Sequence, residues 1–236
     1  MKLLITTRND DTVKDWVPVS HDVFKDYAAR VGADFMILDE TLNCESAREG
    51  IGDGLWHFRI MEHYNLHEEY DRIIQFDSDI LLMPSCPNLF DVVPYDKIGT
   101  VYEDVGSRAQ WRQRCMLQAQ QQFGHIEWFN GYINTGVFVT SKCHRDIFQS
   151  IDGKFFTDWG TDDVHIGYQI KKHGFEVHQL PYQLNHMTMF SEPWNGNPDR
   201  FDSHIIHYAG NGIFDKGVAK NKIHQAQLDK ERVYGK

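Results

Sequence analysis

Arg72-Ile73-Ile74-Gln75-Phe76-Asp77-Ser78-Asp79-Ile80-Leu81-Leu82 is an apolar run that breaks at two carboxylates and then turns apolar again. Its first five residues, bounded by acidic groups, read as a buried strand. In an extended chain residues i and i+2 point to the same side, so Asp77 and Asp79 project together while Ser78 points away. Two like charges this close raise each other's cost of ionisation unless a cation lies between them. A hard divalent ion, Mg²⁺ or Mn²⁺, is the matching guest for such oxygen ligands. A solvated acidic turn is the structural alternative, because D-x-D alone is a common tripeptide.

Working outward, Lys2 to Thr7 reads as a strand opening onto the polar loop Arg8-Asn9-Asp10-Asp11. Val23, Phe24, Tyr27, Ala28 and Val31 recur at helical spacing and stop at Gly32. Phe35 to Leu38 is a second strand, and Phe58, Ile60, Met61 and Tyr64 predict an amphipathic helix leading into the strand at 72–76. Alternating strands and helices imply right-handed crossovers and an α/β fold with a mostly parallel central sheet flanked by helices. Ligands of open α/β sheets bind beyond the carboxyl ends of the strands, which is where Asp77 and Asp79 fall. Further along, Ile98 to Tyr102 predicts a strand. Trp111, Cys115, Ala119 and Phe123 mark one face of a helix ending at Gly124. Ile133 to Thr140 is a strand interrupted by Gly136, Val164 to Lys172 a helix, and Glu176 to Leu180 and Ser203 to Tyr208 are extended. No Pro-, Gly- or Ser-rich linker and no repeat divides the chain, so one domain over residues 1–236 is expected.

The chain has 236 residues, with 24 Lys or Arg against 34 Asp or Glu and a formal charge of −10. That balance argues against a nucleic-acid partner, which needs a basic face. The four cysteines, Cys44, Cys86, Cys115 and Cys143, form no C-x-x-C pair and read as reduced thiols. The opening MKLLITTRND lacks the apolar region of a signal peptide, and no stretch approaches the ~20 apolar residues of a membrane helix. A soluble cytoplasmic protein is the expectation.

A second constellation lies near the C-terminus, in Ser203-His204-Ile205-Ile206-His207-Tyr208-Ala209-Gly210. On an extended segment His204 and His207 face opposite sides, so only one can join a given site. His207, beside Gly210 and Gly212, falls where strand gives way to loop, and its imidazole could complete the ion site that the two aspartates begin.

Taken in order, Asp77-Ser78-Asp79, Asn134-Thr135-Gly136-Val137, Thr161-Asp162-Asp163 and His207-x-x-Gly210 resemble the signature of glycosyltransferases with the GT-A fold, the Rossmann-like fold of nucleotide-diphospho-sugar transferases. They are most similar to the glycogenin-like retaining family (glycosyltransferase family 8), which uses UDP-sugars. The loop Ile5-Thr6-Thr7-Arg8-Asn9-Asp10 is similar to that family's uridine-contacting first loop. The resemblance spans residues 1 to about 216 and implies a UDP-sugar donor, a carbohydrate or glycosylated acceptor and a Mn²⁺ or Mg²⁺ cofactor. Asp77, Asp79 and His207 would hold the metal. Asp77 and Ser78, with Thr6, Thr7 and Arg8, would lie at the donor, and Asn134 and Gly136 would border its sugar. Asp162 matches the family's acidic residue beside the reacting carbon. Asp163 stands where many members carry Gln, and both are candidate catalytic residues. Arg59 lies within about one residue of the family's basic group at the donor. The family's last motif has Lys three residues after Gly210; position 213 is Ile here, leaving Lys216 as the nearest basic residue for the β-phosphate. The motif's usual Pro and Trp are absent.

Chemically, a −10 chain can hold a departing diphosphate only with a cation to offset the repulsion, and the ion would act on the leaving group as a Lewis acid. Asp162 would stabilise positive charge at the anomeric carbon or act as a nucleophile; the sequence leaves front-face attack and a covalent intermediate both open. A sugar-nucleotide nucleotidyltransferase would want a Gly-rich basic loop after the first strand, and the loop here has no glycine and two acids. A glycosidase needs paired carboxylates but no metal. A catalytically inactive nucleotide- or carbohydrate-binding protein would keep the fold and lose turnover. His63 and His67, at i and i+4, read as the solvated face of a helix. Of the aromatic residues that could stack on a sugar ring, Trp128, Phe129, Tyr132 and Trp159 read as core, and Trp194, with loop neighbours, as either core or a stacking residue. Gln110 to Gln122 reads as a surface helix rather than a flap, and the run 221–236 as a solvated helix and tail.

Overall fold

The computed structural model describes residues 1–9, 11–39, 52–188, 194–210 and 218–235. A six-stranded sheet has the order β2-β1-β3-β6-β5-β7, from β1 (Leu3–Arg8), β2 (Asp34–Leu38), β3 (Arg72–Phe76), β5 (Ile98–Thr100), β6 (Val137–Ser141) and β7 (Val177–Gln179). β1 pairs in parallel with β2 and β3, β5 pairs in parallel with β7, and β6 runs against both β3 and β5. The mostly parallel α/β sheet expected from the sequence is therefore present. Every residue of β3 and β6 is buried, including the polar Arg72, Gln75, Thr140 and Ser141, so neither strand alternates between a core face and a solvent face.

Helix α1 (Val17–Val31) carries Pro18 in its first turn and ends at Gly32, whose N–H bonds the carbonyls of Ala28 and Ala29. It lays Val23, Phe24 and Tyr27 against the sheet, and the Phe24 ring stacks on Phe76 with centroids 5.2 Å apart. Burying a side chain of this size is worth about 1.5–3 kcal/mol, so this contact fixes the floor beneath Asp77.

The amphipathic helix predicted around Phe58–Tyr64 is different in detail. Residues Gly52–Glu62 form a 3₁₀ run, and only α2 (His63–Leu66) closes α-helical turns. Phe58, Ile60, Met61, Glu62 and His63 are all buried, a succession that one face of a 3.6-residue helix cannot supply. His63 and His67 are likewise buried rather than solvated. His63 Nε2 lies 2.9 Å from Thr6 Oγ1, and His67 bridges the Tyr70 carbonyl and Thr140 Oγ1.

A second, three-stranded sheet was not foreseen. It has the order β4-β9-β8, from β4 (Ile80–Leu82), β8 (His186–Met187) and β9 (Ile205–His207). β9 falls within the segment 203–208 expected to be extended, but nothing local marked β4 or β8 as its partners. Helices α3 (Leu89–Val92), α4 (Ala109–Phe123) and α5 (Thr161–His173) complete the layers, and α6 (Lys222–Tyr234) closes the described chain. In α4, Cys115 and Ala119 face the core as expected, but Trp111 is 46% exposed and meets Trp159 edge-to-face.

The C-terminal helix is docked rather than solvated. Asp229 on α6 is buried and accepts from Arg200 Nε (2.7 Å) and Nη2 (2.8 Å), from the Tyr208 hydroxyl (2.7 Å) and from Gln225 Nε2 (2.8 Å). Ala226, Ile223 and Tyr234 of the same helix also pack against the core, so a buried polar cluster and apolar contacts together hold it in place. Among the described residues no helix is long and apolar enough to cross a membrane. Cys86, Cys115 and Cys143 are free thiols, and Cys44 lies outside the described residues.

Candidate functional site

The small sheet assembles the first part of the site. β3 ends at Phe76, and Asp77 N–H then donates to Gly136 O at 2.8 Å, holding the turn against the start of β6. After Asp79 the chain re-enters as β4, antiparallel to β9, with Ile80 opposite His207; Tyr208 N–H donates to Asp79 O at 2.9 Å. Backbone hydrogen bonds thus fix His207 beside the two aspartates. His207 Nε2 lies 3.3 Å from Asp79 Oδ1 and 3.8 Å from Asp77 Oδ2, while His204 points away, to Ser85 Oγ.

Ligand atoms of Asp77, Asp79 and His207 lie within 4.8 Å of one another. Burial pushes the Asp77 carboxyl up, and the neighbouring Asp79 charge pushes it further. Burial also works against ionised Asp79, but the His207 charge and hydrogen bond, with Lys222, outweigh it and hold that carboxyl at about 2. His207 is raised because Asp79 and Asp77 overcome the cost of burying its charge. Two carboxylates and one imidazole, converging from three backbone-fixed positions, fit a divalent cation with O and N ligands.

These groups open onto a cavity of about 420 Å³. Of the residues singled out from the sequence, Arg8, Arg59, Asp77, Asp79, Asn134, Asp162, Asp163, His207 and Gly210 line it. Arg59 reaches in from the 3₁₀ run, its Nη1 donating to Asn9 O at 2.8 Å. Arg8 Nε is buried with no hydrogen-bond partner among the described residues. Thr6, Thr7 and Ser78 sit behind the wall instead. Thr6 Oγ1 donates to Gln75 Oε1 at 2.7 Å, and Ser78 Oγ donates to Arg8 O at 2.6 Å, so they shape the loop that presents Arg8. Gly136 also lies behind the lining. A Cβ there would come within 2.5 Å of His207 Cε1 and 2.9 Å of Asn134 Oδ1, so its smallness serves the approach of His207. Lys216, Asp10 and Gly212 lie outside the described residues.

Asp162 and Asp163 open α5 directly after Gly160, whose φ of 95° and proximity to Tyr132 leave no room for a side chain. Read as a helical pair about 100° apart they need not share a partner, yet both converge on Thr135. Its hydroxyl lies 3.0 Å from Asp162 Oδ2 and 2.8 Å from Asp163 Oδ1, and its N–H donates to Asp163 Oδ1 at 2.8 Å. Burial pushes the Asp163 carboxyl well up, and the charges of Asp162 and Glu103 add to this, so it keeps its proton where an ordinary aspartate has lost it. Asp162 Oδ1 accepts from Thr161 Oγ1 at 3.0 Å and lies 3.7 Å from His57 Nδ1.

Several groups at the site were not anticipated. Glu103, beyond the C-terminal end of β5, is paired with Arg112 and, at 3.0 Å, with Arg108, and all three line the cavity. The Arg112 guanidinium lies 4.3 Å from the Tyr132 ring centroid and 4.5 Å from that of Trp159. Trp159 lines the cavity and is 45% exposed, and Phe129 is 54% exposed, so neither belongs to the core; Trp128 and Tyr132 do. Lys222, from α6, bonds the carbonyls of Tyr208 and Gly210 and stands 3.8 Å from Asp79 Oδ2, a basic residue supplied from beyond the motif. Arg108 and Arg112 at i and i+4, after a strand end bearing Glu103, were the signal available in the sequence.

No family model matches the chain, and comparison with curated proteins gives no significant match. Solved structures do resemble it. A galactosyltransferase, LgtC, in complex with donor and acceptor sugar analogues superposes with a TM-score of 0.62 at 16% identity, covering 98% of this chain and 95% of that one. A glycosyltransferase involved in glycosylation of the major capsid of PBCV-1 gives 0.56 at 14%, covering 90% and 96%. The bifunctional glycosyltransferase WbbM gives 0.61 at 13%, covering 99% of this chain and 50% of that one. At these identities the likeness is one of fold, and it extends over nearly the whole chain.

Proposed function

We propose that the protein is a metal-dependent glycosyltransferase that moves a sugar from a UDP-sugar to an acceptor hydroxyl with retention of anomeric configuration, in the manner of the glycogenin-like family. The observation that carries this reading is the gathering of Asp77, Asp79 and His207 at the mouth of a cavity that also holds Asp162. The likeness of fold to solved glycosyltransferases supports it.

In this reading Asp77, Asp79 and His207 hold Mn²⁺ or Mg²⁺. The bound ion offsets the charge of the leaving diphosphate, which this acidic chain would otherwise repel. Arg8, Arg59 and Lys222 add fixed positive charge around the same end of the cavity. Asn134 borders the sugar, and Asp162 faces the positive charge that grows at the anomeric carbon. Both oxygens of Asp162 already have hydroxyl neighbours, Thr161 and Thr135, which favours electrostatic stabilisation over covalent attack. Asp163, whose ionisation is opposed by burial and by the charges of Asp162 and Glu103, is held by Thr135 and orients that hydroxyl.

Isothermal calorimetry of UDP with and without Mn²⁺ tests the reading. The expectation is UDP binding that requires Mn²⁺ and is abolished by Asp79→Ala, with transfer from a UDP-sugar that stops on chelation. UDP affinity unchanged by metal or by Asp79→Ala would remove the metal assignment. Release of pyrophosphate from UTP and a sugar phosphate would replace transfer with nucleotidyl chemistry, and UDP binding without turnover would indicate a binding protein.

A further inference from the structure

We infer that Asn185, a residue outside every motif in the sequence, is a positioning residue that fixes the tautomer of His207. The inference rests on the reading of His207 as a metal ligand, but its evidence is a separate chain of hydrogen bonds that starts from the other ring nitrogen of His207. Asn185 follows the 3₁₀ turn Tyr182–Leu184, immediately before β8, and is fully buried. Its Oδ1 lies 2.8 Å from His207 Nδ1, and its Nδ2 donates to Asn134 Oδ1 at 2.8 Å. Asn134 Oδ1 also accepts from Gly136 N–H at 3.1 Å, and Asn134 Nδ2 donates to Glu103 Oε1 at 2.8 Å. The other Glu103 oxygen is held by Arg112 and Arg108.

The direction of every bond in this chain follows from its ends. The Glu103 carboxylate, ionised against two guanidinium groups, only accepts, and Gly136 N–H only donates. Asn134 must therefore turn its NH₂ to Glu103 and its oxygen to Gly136, which leaves that oxygen to accept from Asn185. Asn185 in turn has only its oxygen left for His207, so His207 Nδ1 carries a hydrogen and donates. The neutral ring then presents an unprotonated Nε2 toward Asp77 and Asp79, the form a metal requires. Reversing the ring would require flipping both amides, bringing the Asn134 oxygen against Glu103 and its NH₂ against the Gly136 N–H. A buried ion pair centred on Glu103 is thereby coupled, through two asparagines, to the ligand nitrogen of a histidine on another strand. Groups that orient a metal-binding histidine through its second nitrogen typically change metal affinity 10–100-fold when removed.

Two measurements test this. In uniformly ¹⁵N-labelled, metal-free protein at a pH alkaline enough for a neutral ring, long-range ¹H–¹⁵N correlations of His207 should show hydrogen on Nδ1. A ring protonated on Nε2 would overturn the inference whatever the protein's activity. In calorimetry with Mn²⁺ alone, Asn185→Leu should weaken binding by about 10–100-fold, and Asn185→Asp, which keeps an acceptor toward Nδ1, should recover most of the loss. Wild-type Mn²⁺ affinity in a folded Asn185→Leu protein would also overturn it. If the wild-type protein binds no Mn²⁺, the proposed function fails, while the tautomer measurement still decides whether the asparagine chain sets the ring.

Discussion

The buried imidazole of His67 should make the protein acid-labile by an amount that can be calculated. The ring is fully buried under the sheet, and burial depresses it from the ordinary 6.5 to about 4, with the nearby charges of His144, Arg145 and Lys142 acting in the same direction. Nδ1 donates to the Tyr70 carbonyl at 3.2 Å, and Nε2 lies 3.0 Å from Thr140 Oγ1, so the neutral form is the one the fold accommodates. Because the folded state binds this proton less readily than the unfolded chain, the stabilisation is complete above pH 6.5 and is lost as pH falls toward 4. At 1.36 kcal/mol per unit, the step from pH 7.5 to pH 4.5 removes about 2.5 kcal/mol through this ring alone. The assay is urea unfolding followed by tryptophan fluorescence at both pH values, for the wild type and for His67→Gln, which has no titrating ring. Other groups, including His165 and His186, each also lowered to about 4, titrate in both proteins and cancel in the comparison. The wild type should lose about 2.5 kcal/mol more than the variant between the two pH values. Equal losses would refute the reasoning, because they would mean that the ring takes up its proton in the folded state as easily as in water.

Two further substitutions probe the framework of the site. Gly136→Ala places a Cβ against His207 and Asn134, so Mn²⁺ binding by calorimetry should fall at least tenfold while thermal unfolding shows a cost of about 1–3 kcal/mol. Asp229→Asn removes the buried carboxylate charge that holds Arg200, itself only partly buried, and chemical denaturation should show a loss of about 1.5–3 kcal/mol.

The central fold was legible because it rests on long, uniform signals. Residues 72–76 were read as a strand with the bounds the structure gives them, and the helix ending at Gly32 followed from spacing and a single glycine. Asp77 and Asp79 were expected on one side from the two-residue period of an extended chain; they do converge, but across a turn at Ser78 and Asp79 rather than along a strand, and His207 was offered as the third ligand by its place at a strand end and by the order of motifs. What escaped had no local signature. The segment carrying β9 was read as extended, but its pairing with β4 and β8 joins distant stretches of chain, so the sheet that registers His207 against Ile80 was not visible. Glu103, Arg112 and Asn185 matter through partners 9 to 51 residues away in sequence, and only folding brings these together. The docking of α6 was missed because its buried contacts are few along the helix, Asp229 among polar partners and Ala226, Ile223 and Tyr234 against the core.

The pairing of β4 with β9 joins positions separated by more than half of the chain. Contacts of such wide sequence separation close the largest loops and are the ones a folding chain pays entropy for last. The three residues proposed to hold the ion straddle this junction, so a chain that has completed its large sheet but not the small one already has its scaffold and still lacks the assembled site. Recovery of ion binding during refolding should therefore lag behind recovery of secondary structure, marking the moment at which the two distant segments find their register.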